Sequence, residues 1–341
     1  MRARRLLATI ALILSTAPLN AQPLQPVTVA TTFSITDLNL FIAQSRGWFR
    51  EEGLDVRIIS TDSAARMIPA LASGEVDVAG GAASAGLYNA VGRGIGIRVV
   101  ADKSATPPGR YSQMFVIRKA LVDSGRVKTV ADIKGLKIAT SAVGSAAMGT
   151  LARLYKMAGI GPGDIERAYL NVPQQIAALQ NGAIDAAFPT EPVASEIIRQ
   201  NIAAKLMTDD EIYPGHQIAI MFYSPAFREK RPAVARAFMR AYIRGVRAQN
   251  ASIVNGKIAG KDAEEFIGLL AANTPVKDRD LIRSLTISYC SDDVIPNVAS
   301  LEEDFSIFAA EGLIETKVSV ADAVDLSIAR EAARELAARG R

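Results

Sequence analysis

Four short loops each follow a strand-like stretch and precede a helix-like one, and three of them are rich in small or hydroxyl-bearing residues. The loops are residues 31–36, 80–84, 140–145 and 189–191. The first residues of a helix present backbone N–H groups without helical partners and a partial positive charge. Serine and threonine add hydroxyl donors with little bulk. This pattern predicts a site that holds an anion by dipoles and hydrogen bonds, without a buried lysine or arginine.

Two of these loops carry the most specific patterns. In SAVGSAA, residues 141–147, Gly144 permits close backbone approach and Ser145 is placed either to contact a ligand or to cap the following helix. In AGGAAS, residues 79–84, Ser84 has the same two alternatives. Across the loops and the neighbouring strand ends, we predict ligand contacts from Thr32, Phe33, Ser34, Ala83, Ser84, Ser141, Gly144, Ser145, Phe188, Thr190, Glu191 and His216.

Several of these residues also have an ordinary structural alternative. Phe33 and Phe188 either stack on a ligand or fill a core. Glu191 either caps a helix or binds a cationic group of the ligand, and His216 lies either in a loop or in the cleft. Because alanines and Val143 dominate the loops, we expect apolar walls, which favour an organic anion such as a sulfonate or a carboxylate over an inorganic one.

The residues needed for most catalytic or metal chemistry are missing from the sequence. His216 is the only histidine and Cys290 the only cysteine, so a histidine cluster, a CxxC pair and a disulfide within the chain are excluded. No GxSxG elbow accompanies a serine, and GRGIGIR at 92–98 lacks the GxGxxG spacing of a dinucleotide loop. We therefore predict a binding protein with no cofactor and no metal, not an enzyme.

The first 21 residues have the pattern of a secretory signal peptide. A basic start, MRARR, precedes a twelve-residue apolar run that is too short to span a bilayer. We expect cleavage near Ala21 and a periplasmic location. Loss of Arg2, Arg4 and Arg5 lowers the net charge from +4 to about +1. That balance gives no reason to expect nucleic acid or an acidic membrane as a partner.

The sequence contains an internal repeat of one α/β unit. LASGEVDVA at 71–79 and LQNGAIDAA at 179–187 share a leucine, a glycine and an aspartate before an apolar run. Each phrase closes a series of strand, helix, strand, helix and strand, which begins at 27–31 in the first copy and at 136–140 in the second. Residues 38–53 form the first helix in this interpretation. Two such units predict two lobes that face each other across a cleft.

The repeated phrase itself favours a structural role. Gly74 and Gly182 are predicted to end helices in the left-handed conformation. Asp77 and Asp185 are predicted to accept backbone N–H groups at the turn that follows, rather than to touch a ligand.

Several segments, in order, resemble the solute-binding proteins of ABC importers, and more narrowly the nitrate/sulfonate/taurine-binding branch. The likeness extends from Val27 to about Asn250. It is carried by FIAQSRGWFREEGLDVRII, ALASGEVDVAGGAAS, GIGIRVVAD, TVADIKGLKIATSAVGSA and the EP of FPTEP. The resemblance implies a two-lobed periplasmic-binding-protein fold of the type II kind, with mixed, mostly parallel sheets, helices on both faces and two hinge crossovers. It also implies a monomer that delivers its ligand to an ABC permease in the inner membrane.

Two rival functions share this fold. Enzymes that make the thiamine pyrimidine use clustered cysteines, so the single Cys290 and the export signal count against that class. A sensory module that presents its ligand to a receptor remains open. The predicted organisation is a signal peptide at 1–21, lobe one at 22–112 and 225–341, lobe two at 119–216, and hinge strands at 113–118 and 217–224.

Overall fold

The computed structural model describes residues 23–61 and 64–340, so the predicted signal peptide lies outside the described residues. The strands are β1 (Gln25–Thr31), β2 (Leu54–Ser60), β3 (Val78–Gly81), β4 (Arg98–Thr106), β5 (Met114–Arg118), β6 (Lys137–Thr140), β7 (Glu166–Tyr169), β8 (Ala186–Ala187), β9 (Ala203–Thr208), β10 (His216–Tyr223), β11 (Ile253–Val254) and β12 (Lys257–Ile258). The helices are α1 (Leu38–Ser45), α2 (Trp48–Glu51), α3 (Ala64–Ser73), α4 (Ala85–Gly92), α5 (Lys119–Asp123), α6 (Ala147–Ala158), α7 (Val172–Asn181), α8 (Val193–Arg199), α9 (Asp209–Ile212), α10 (Pro225–Lys230), α11 (Pro232–Ala251), α12 (Ala263–Asn273), α13 (Arg279–Ser284), α14 (Val298–Ala310), α15 (Val320–Ala323) and α16 (Ser327–Ala338).

Two five-stranded sheets have the same topology. The first sheet has the order β2-β1-β3-β10-β4 and the second the order β7-β6-β8-β5-β9. In each sheet the fourth strand runs antiparallel to its neighbours, and the first three strands pair in parallel. The predicted α/β architecture with mixed, mostly parallel sheets is confirmed.

The repeated phrase has the same geometry in both sheets. Asp77 accepts the backbone N–H of Thr28 at 3.0 Å, and Asp185 accepts that of Lys137 at 3.0 Å. Each aspartate also pairs with an arginine: Arg231 for Asp77 and Arg118 for Asp185. The aspartates accept backbone N–H groups as predicted, but these N–H groups belong to the neighbouring strands β1 and β6 and not to the turn. The left-handed conformation predicted for the two glycines that end the preceding helices is confirmed, with φ of +79° at Gly74 and +78° at Gly182.

The predicted hinge strands are members of the sheets. Residues 113–118 contain β5, which pairs with β8 and β9 in the second sheet. Residues 217–224 contain most of β10, which pairs with β3 and β4 in the first sheet. The chain therefore passes between the sheets in the short segments 107–113 and 213–215.

Two buried aspartates accept hydrogen bonds from the backbone of the first connecting segment, residues 107–113. Asp209 accepts the backbone N–H groups of Ser112 and Gln113, at 3.3 and 3.1 Å. Asp210 accepts that of Gly109 at 2.7 Å. Burial raises the pKa of Asp209 to about 8, against the lowering effect of these hydrogen bonds.

Helices α1, α11 and α16 pack together beside the first sheet, and their apolar side chains share one buried cluster with those of β1 and β10. The single helix predicted at 38–53 is instead two helices, because Gly47 adopts a left-handed conformation with φ of +70° between α1 and α2. Cys290 is fully buried in this cluster. Among the described residues, no helix is both long and apolar enough to cross a bilayer.

Candidate functional site

A cavity of about 570 Å³ lies between the two sheets, at the loops that follow their strands. Both copies of the repeated unit contribute to its wall, and so does a segment near the C-terminal end of α12. Of the predicted contact residues, those that line the cavity are Thr32, Phe33, Ser34, Ser84, Ser141, Ser145, Thr190 and Glu191.

Two backbone hydrogen bonds join the two halves of the cavity wall. The N–H of Ile35 donates to the carbonyl of Glu191 at 3.1 Å, and the N–H of Ala85 donates to the carbonyl of Gly144 at 2.8 Å. A Cβ added at Gly144 would lie 2.7 Å from Ala85 Cβ, and its φ is +61°. The close approach predicted for Gly144 is thus made to the opposite half of the protein. These contacts describe a closed arrangement of the two halves.

The first copy places a buried ion pair directly behind its loop. Lys103 Nζ lies 2.8 Å from Asp37 Oδ1, and both side chains are at most 1% exposed. The same Nζ donates to Thr36 Oγ1 at 2.6 Å. Thr36 Oγ1 is 3.0 Å from Ser34 Oγ, and both residues line the cavity. Lys103 itself does not line the cavity, so the buried lysine lies behind the wall and not in it.

The two serines at the centre of the site have different partners. Ser84 Oγ accepts the N–H of Leu87 at 3.2 Å, so Ser84 is the helix cap of α4 as well as a cavity residue. Ser145 Oγ instead donates to the carbonyl of Ala142 at 3.1 Å. The N-cap position of α6 is Ala146, which makes the predicted capping role of Ser145 wrong.

Glu191 is buried at the cavity wall, next to Pro192, which is the N-cap residue of α8. Its two carboxylate oxygens accept the N–H and the hydroxyl of Ser195, in the first turn of α8, at 3.0 and 2.7 Å. Burial raises the pKa of Glu191. Beside it, Thr190 Oγ1 accepts from Gln113 Nε2 at 3.2 Å, which leaves the threonine hydroxyl hydrogen for another acceptor.

Four predicted contact residues are not in the cavity wall: Ala83, Gly144, Phe188 and His216. Phe188 is a core aromatic that stacks on Phe115, with ring centroids 4.8 Å apart. His216 is fully buried, with Nε2 2.8 Å from Asp304 Oδ2 and Nδ1 3.3 Å from Thr150 Oγ1. Neither partner, Asp304 of α14 or Thr150 of α6, lines the cavity. The side chain of Ala83 packs in an apolar cluster of the first half.

The wall also contains residues outside the four predicted loops. Residues 272–277 lie beyond the duplicated part of the chain and supply Lys277, whose Nζ donates to the carbonyls of Ala272 and Thr274 at 3.1 and 2.8 Å. Asn171 lines the wall and caps α7 by accepting the N–H of Gln174 at 3.0 Å. Among the described residues, no group of three histidine, cysteine, aspartate or glutamate side chains is arranged to hold a metal ion.

A family model described as NMT1/THI5 like matches residues 36–251, which is more than half of the chain. The taurine-binding periplasmic protein of Escherichia coli (strain K12) is 29% identical over 263 residues, covering 75% of this chain and 76% of that protein. The resemblance inferred from the sequence is thereby confirmed.

Solved structures agree on the fold. The periplasmic nitrate-binding protein NrtA of Synechocystis PCC 6803 superposes with a TM-score of 0.75 at 15% identity, covering 92% of this chain and 89% of that one. The alkanesulfonate-binding protein SsuA of Xanthomonas axonopodis pv. citri, bound to MOPS, has a TM-score of 0.68 at 18% identity, covering 89% and 99%. The periplasmic-binding-protein fold is therefore established.

Proposed function

The chain belongs to the NMT1/THI5-like family, and from that premise we propose that it is the solute-binding component of an ABC importer. Its ligand is a small organic anion, a sulfonate or a carboxylate, held between the two halves. The observation that carries this proposal is the closed cavity between the two copies of the α/β unit, with hydroxyl groups from both copies in its wall.

The size and the lining of the cavity support a small organic ligand. A volume of about 570 Å³ falls within the range of small-molecule sites. Alanine, valine, isoleucine and proline side chains form part of the wall and offer contact to a carbon skeleton. Serine, threonine and asparagine side chains supply the directional contacts that fix its polar end.

The charges around the cavity support an anion over a cation. Glu191 lines the wall, but both of its carboxylate oxygens already accept hydrogen bonds from Ser195. Lys277 also lines the wall, and the buried Lys103 lies behind the loop of the first copy. Neutral hydroxyl and amide donors make up most of the polar surface, and they stabilise an anion without burying a free cation.

The proposed cycle uses the two passages between the sheets as the hinge. Opening breaks the two backbone hydrogen bonds that join the halves, and ligand contacts to both halves favour closure. The exported monomer then delivers the closed complex to a membrane permease. The relationship to a taurine-binding periplasmic protein supports the location and the ligand class.

A thermal-shift screen of the mature chain, purified and refolded to remove bound ligand, tests this proposal. The panel contains taurine, alkanesulfonates, small carboxylates, nitrate, pyrimidines and, as a cation control, choline. A ligand at a hundred times its Kd adds about 2.7 kcal/mol to the free energy of unfolding, which is a shift of several degrees. The proposal predicts a shift with at least one organic anion. A shift with choline or a pyrimidine alone would overturn it.

A further inference from the structure

The buried ion pair joins Lys103 of β4 to Asp37, which directly precedes α1, and it is not a general feature of this sheet topology. The second sheet has the same strand order, and the loop after β6, residues 141–146, contains no ionisable residue. Removing two charges from water costs more than an apolar pair of similar size, so a buried ion pair is weak evidence for a role in stability. A role in the cavity, which lies immediately beside the pair, is the alternative.

A glycine, Gly80, leaves the space that the Lys103 side chain occupies. A Cβ added at Gly80 would lie 2.7 Å from Lys103 Cε and 2.9 Å from its Cδ, so the side chain passes over a backbone that has no side chain of its own. Asp37 fixes the other end. Its carboxylate accepts from Lys103, from the backbone N–H of Ser34 at 2.9 Å and from the hydroxyl of Thr31. The ammonium group is therefore held in one place.

The ammonium group controls the direction of the neighbouring hydroxyl groups. Lysine only donates hydrogen bonds, so Thr36 Oγ1, at 2.6 Å from Nζ, must accept. The hydrogen of Thr36 then points either into the cavity or to Ser34 Oγ at 3.0 Å. In the second case the hydrogen of Ser34 is the one left for the cavity, because Asp37 Oδ2 is 3.5 Å away, at the limit of a hydrogen bond.

We propose that Lys103 is a positioning residue for the anionic group of the ligand, which it reaches through the hydroxyl groups of Thr36 and Ser34. An accepted hydrogen bond from a cation makes a hydroxyl a stronger donor, since such chains polarise one another. The ligand meets a polarised O–H, while the lysine charge stays compensated by Asp37. This inference rests on the proposed function, because it concerns the same cavity.

The test is a cycle of variants in which the charge pair is removed as a unit. K103M/D37N leaves no buried unpaired charge, and T36V removes the hydroxyl with little change of shape. The probe is the anion that gives the largest shift in the thermal screen, and its Kd is measured by calorimetry for wild type, K103M/D37N, T36V and the triple variant. We expect each of the two changes to weaken binding about tenfold. The triple variant should be no weaker than T36V, because both changes break the same chain.

Two further measurements separate this role from a structural one. T36S should retain wild-type affinity, since it keeps the hydroxyl. K103M/D37N should also lose the preference of the site for the anion over its neutral amide. As a matched control, R240M/E52Q removes an ion pair of 2.6 Å between α11 and the end of α2 and should leave the Kd unchanged.

Three outcomes overturn the inference. In the first outcome, K103M/D37N binds the anion as tightly as wild type does. In the second, the K103M/D37N change weakens binding by the same factor in the wild-type protein and in T36V. The third outcome is equal weakening for the anion and its neutral amide. If wild type binds no anion in the screen, the proposed function is contradicted, and so is this inference.

Discussion

The two copies of the α/β unit pair their strands in the same way. They differ at the residue that follows the paired alanine of the last strand. Ala79 pairs with Ala30 in the first sheet, and Ala187 pairs with Ala139 in the second. The next residue is Gly80 in one copy and Phe188 in the other. The space beside Gly80 is taken by the stem of Lys103, whereas Phe188 fills its own position by stacking on Phe115.

This difference separates the residues that build the fold from those that build the site. Where the copies agree, as at Asp77 and Asp185, the residue satisfies the backbone of the sheet. Where they differ, the buried cation Lys103 lies behind the loop of the first copy, whereas the loop after β6 in the second copy contains only uncharged residues. We therefore assign the polarised donors to the loop after β1 and an uncharged part of the wall to the loop after β6.

The largest effect should come from a bulky side chain placed in the cavity wall at the loop after β6. Ala142 lines the cavity, whereas its neighbour Val143 is 48% exposed and does not line it. A142F should reduce anion affinity by about 100-fold or more, because the aromatic ring takes the volume that the ligand needs. V143F is the matched control and should bind as wild type does. Calorimetry on both variants decides between them.

If A142F retained the wild-type Kd, the ligand would bind elsewhere. If V143F lost binding as well, the loop itself would be sensitive to bulk, and the comparison of the two walls would have no support. Melting temperatures of both variants, measured without ligand, establish that each is folded.

A smaller effect tests the claim that the shared aspartates serve the scaffold. D77A and D185A each leave one backbone N–H without its acceptor, at Thr28 and Lys137 respectively. We expect each to lower the free energy of unfolding by about 1–3 kcal/mol, and by similar amounts, as measured in urea. D123A, at an exposed ion pair, should change it by less than about 1 kcal/mol. A large loss in one copy and none in the other would break the equivalence.

A further difference between the two sheets should appear in the pH dependence of stability. Asp209 directly follows β9, whereas Pro107 directly follows β4, its counterpart in strand order. Burial raises the folded pKa of Asp209 to about 8, while its unfolded value is about 3.9. Between these values the folded state binds more protons than the unfolded state, so this group makes stability fall as pH rises from about 4 to 8.

D209N removes that contribution. Its free energy of unfolding should decline less steeply than that of wild type across pH 5–7.5, by at most about 1.4 kcal/mol per pH unit. D123N, at an exposed site, should follow the wild-type slope. Parallel curves for wild type and D209N would show that Asp209 is already ionised in the folded protein.

Much of the scaffold was predictable because its signals are local. Alternating β-branched residues, glycines at helix ends and the duplicated phrase indicated the order of strands and helices, and they indicated that Asp77 and Asp185 accept backbone N–H groups. The loops were also located correctly, since the carboxyl ends of parallel strands meet at one edge of a sheet. Most of the predicted loop hydroxyls therefore reach the cavity wall.

The rest depends on contacts between residues far apart in the chain. Lys103 follows a strand signal and nothing near it indicates that Asp37 and Thr36 lie beside it, so the buried cation was missed. The partners of His216, Thr150 and Asp304, are equally distant in sequence. Residues 272–277 lie outside the repeat, and only the tertiary packing brings them to the cavity.

The most direct test is a crystal structure of the mature chain with the anion selected by the thermal screen. The account predicts one ligand in the cavity, its anionic group within about 3 Å of the hydroxyl of Thr36 or Ser34 and its carbon skeleton against the wall that contains Ala142. An anionic group turned away from that loop, or a ligand bound outside the cavity, would contradict it.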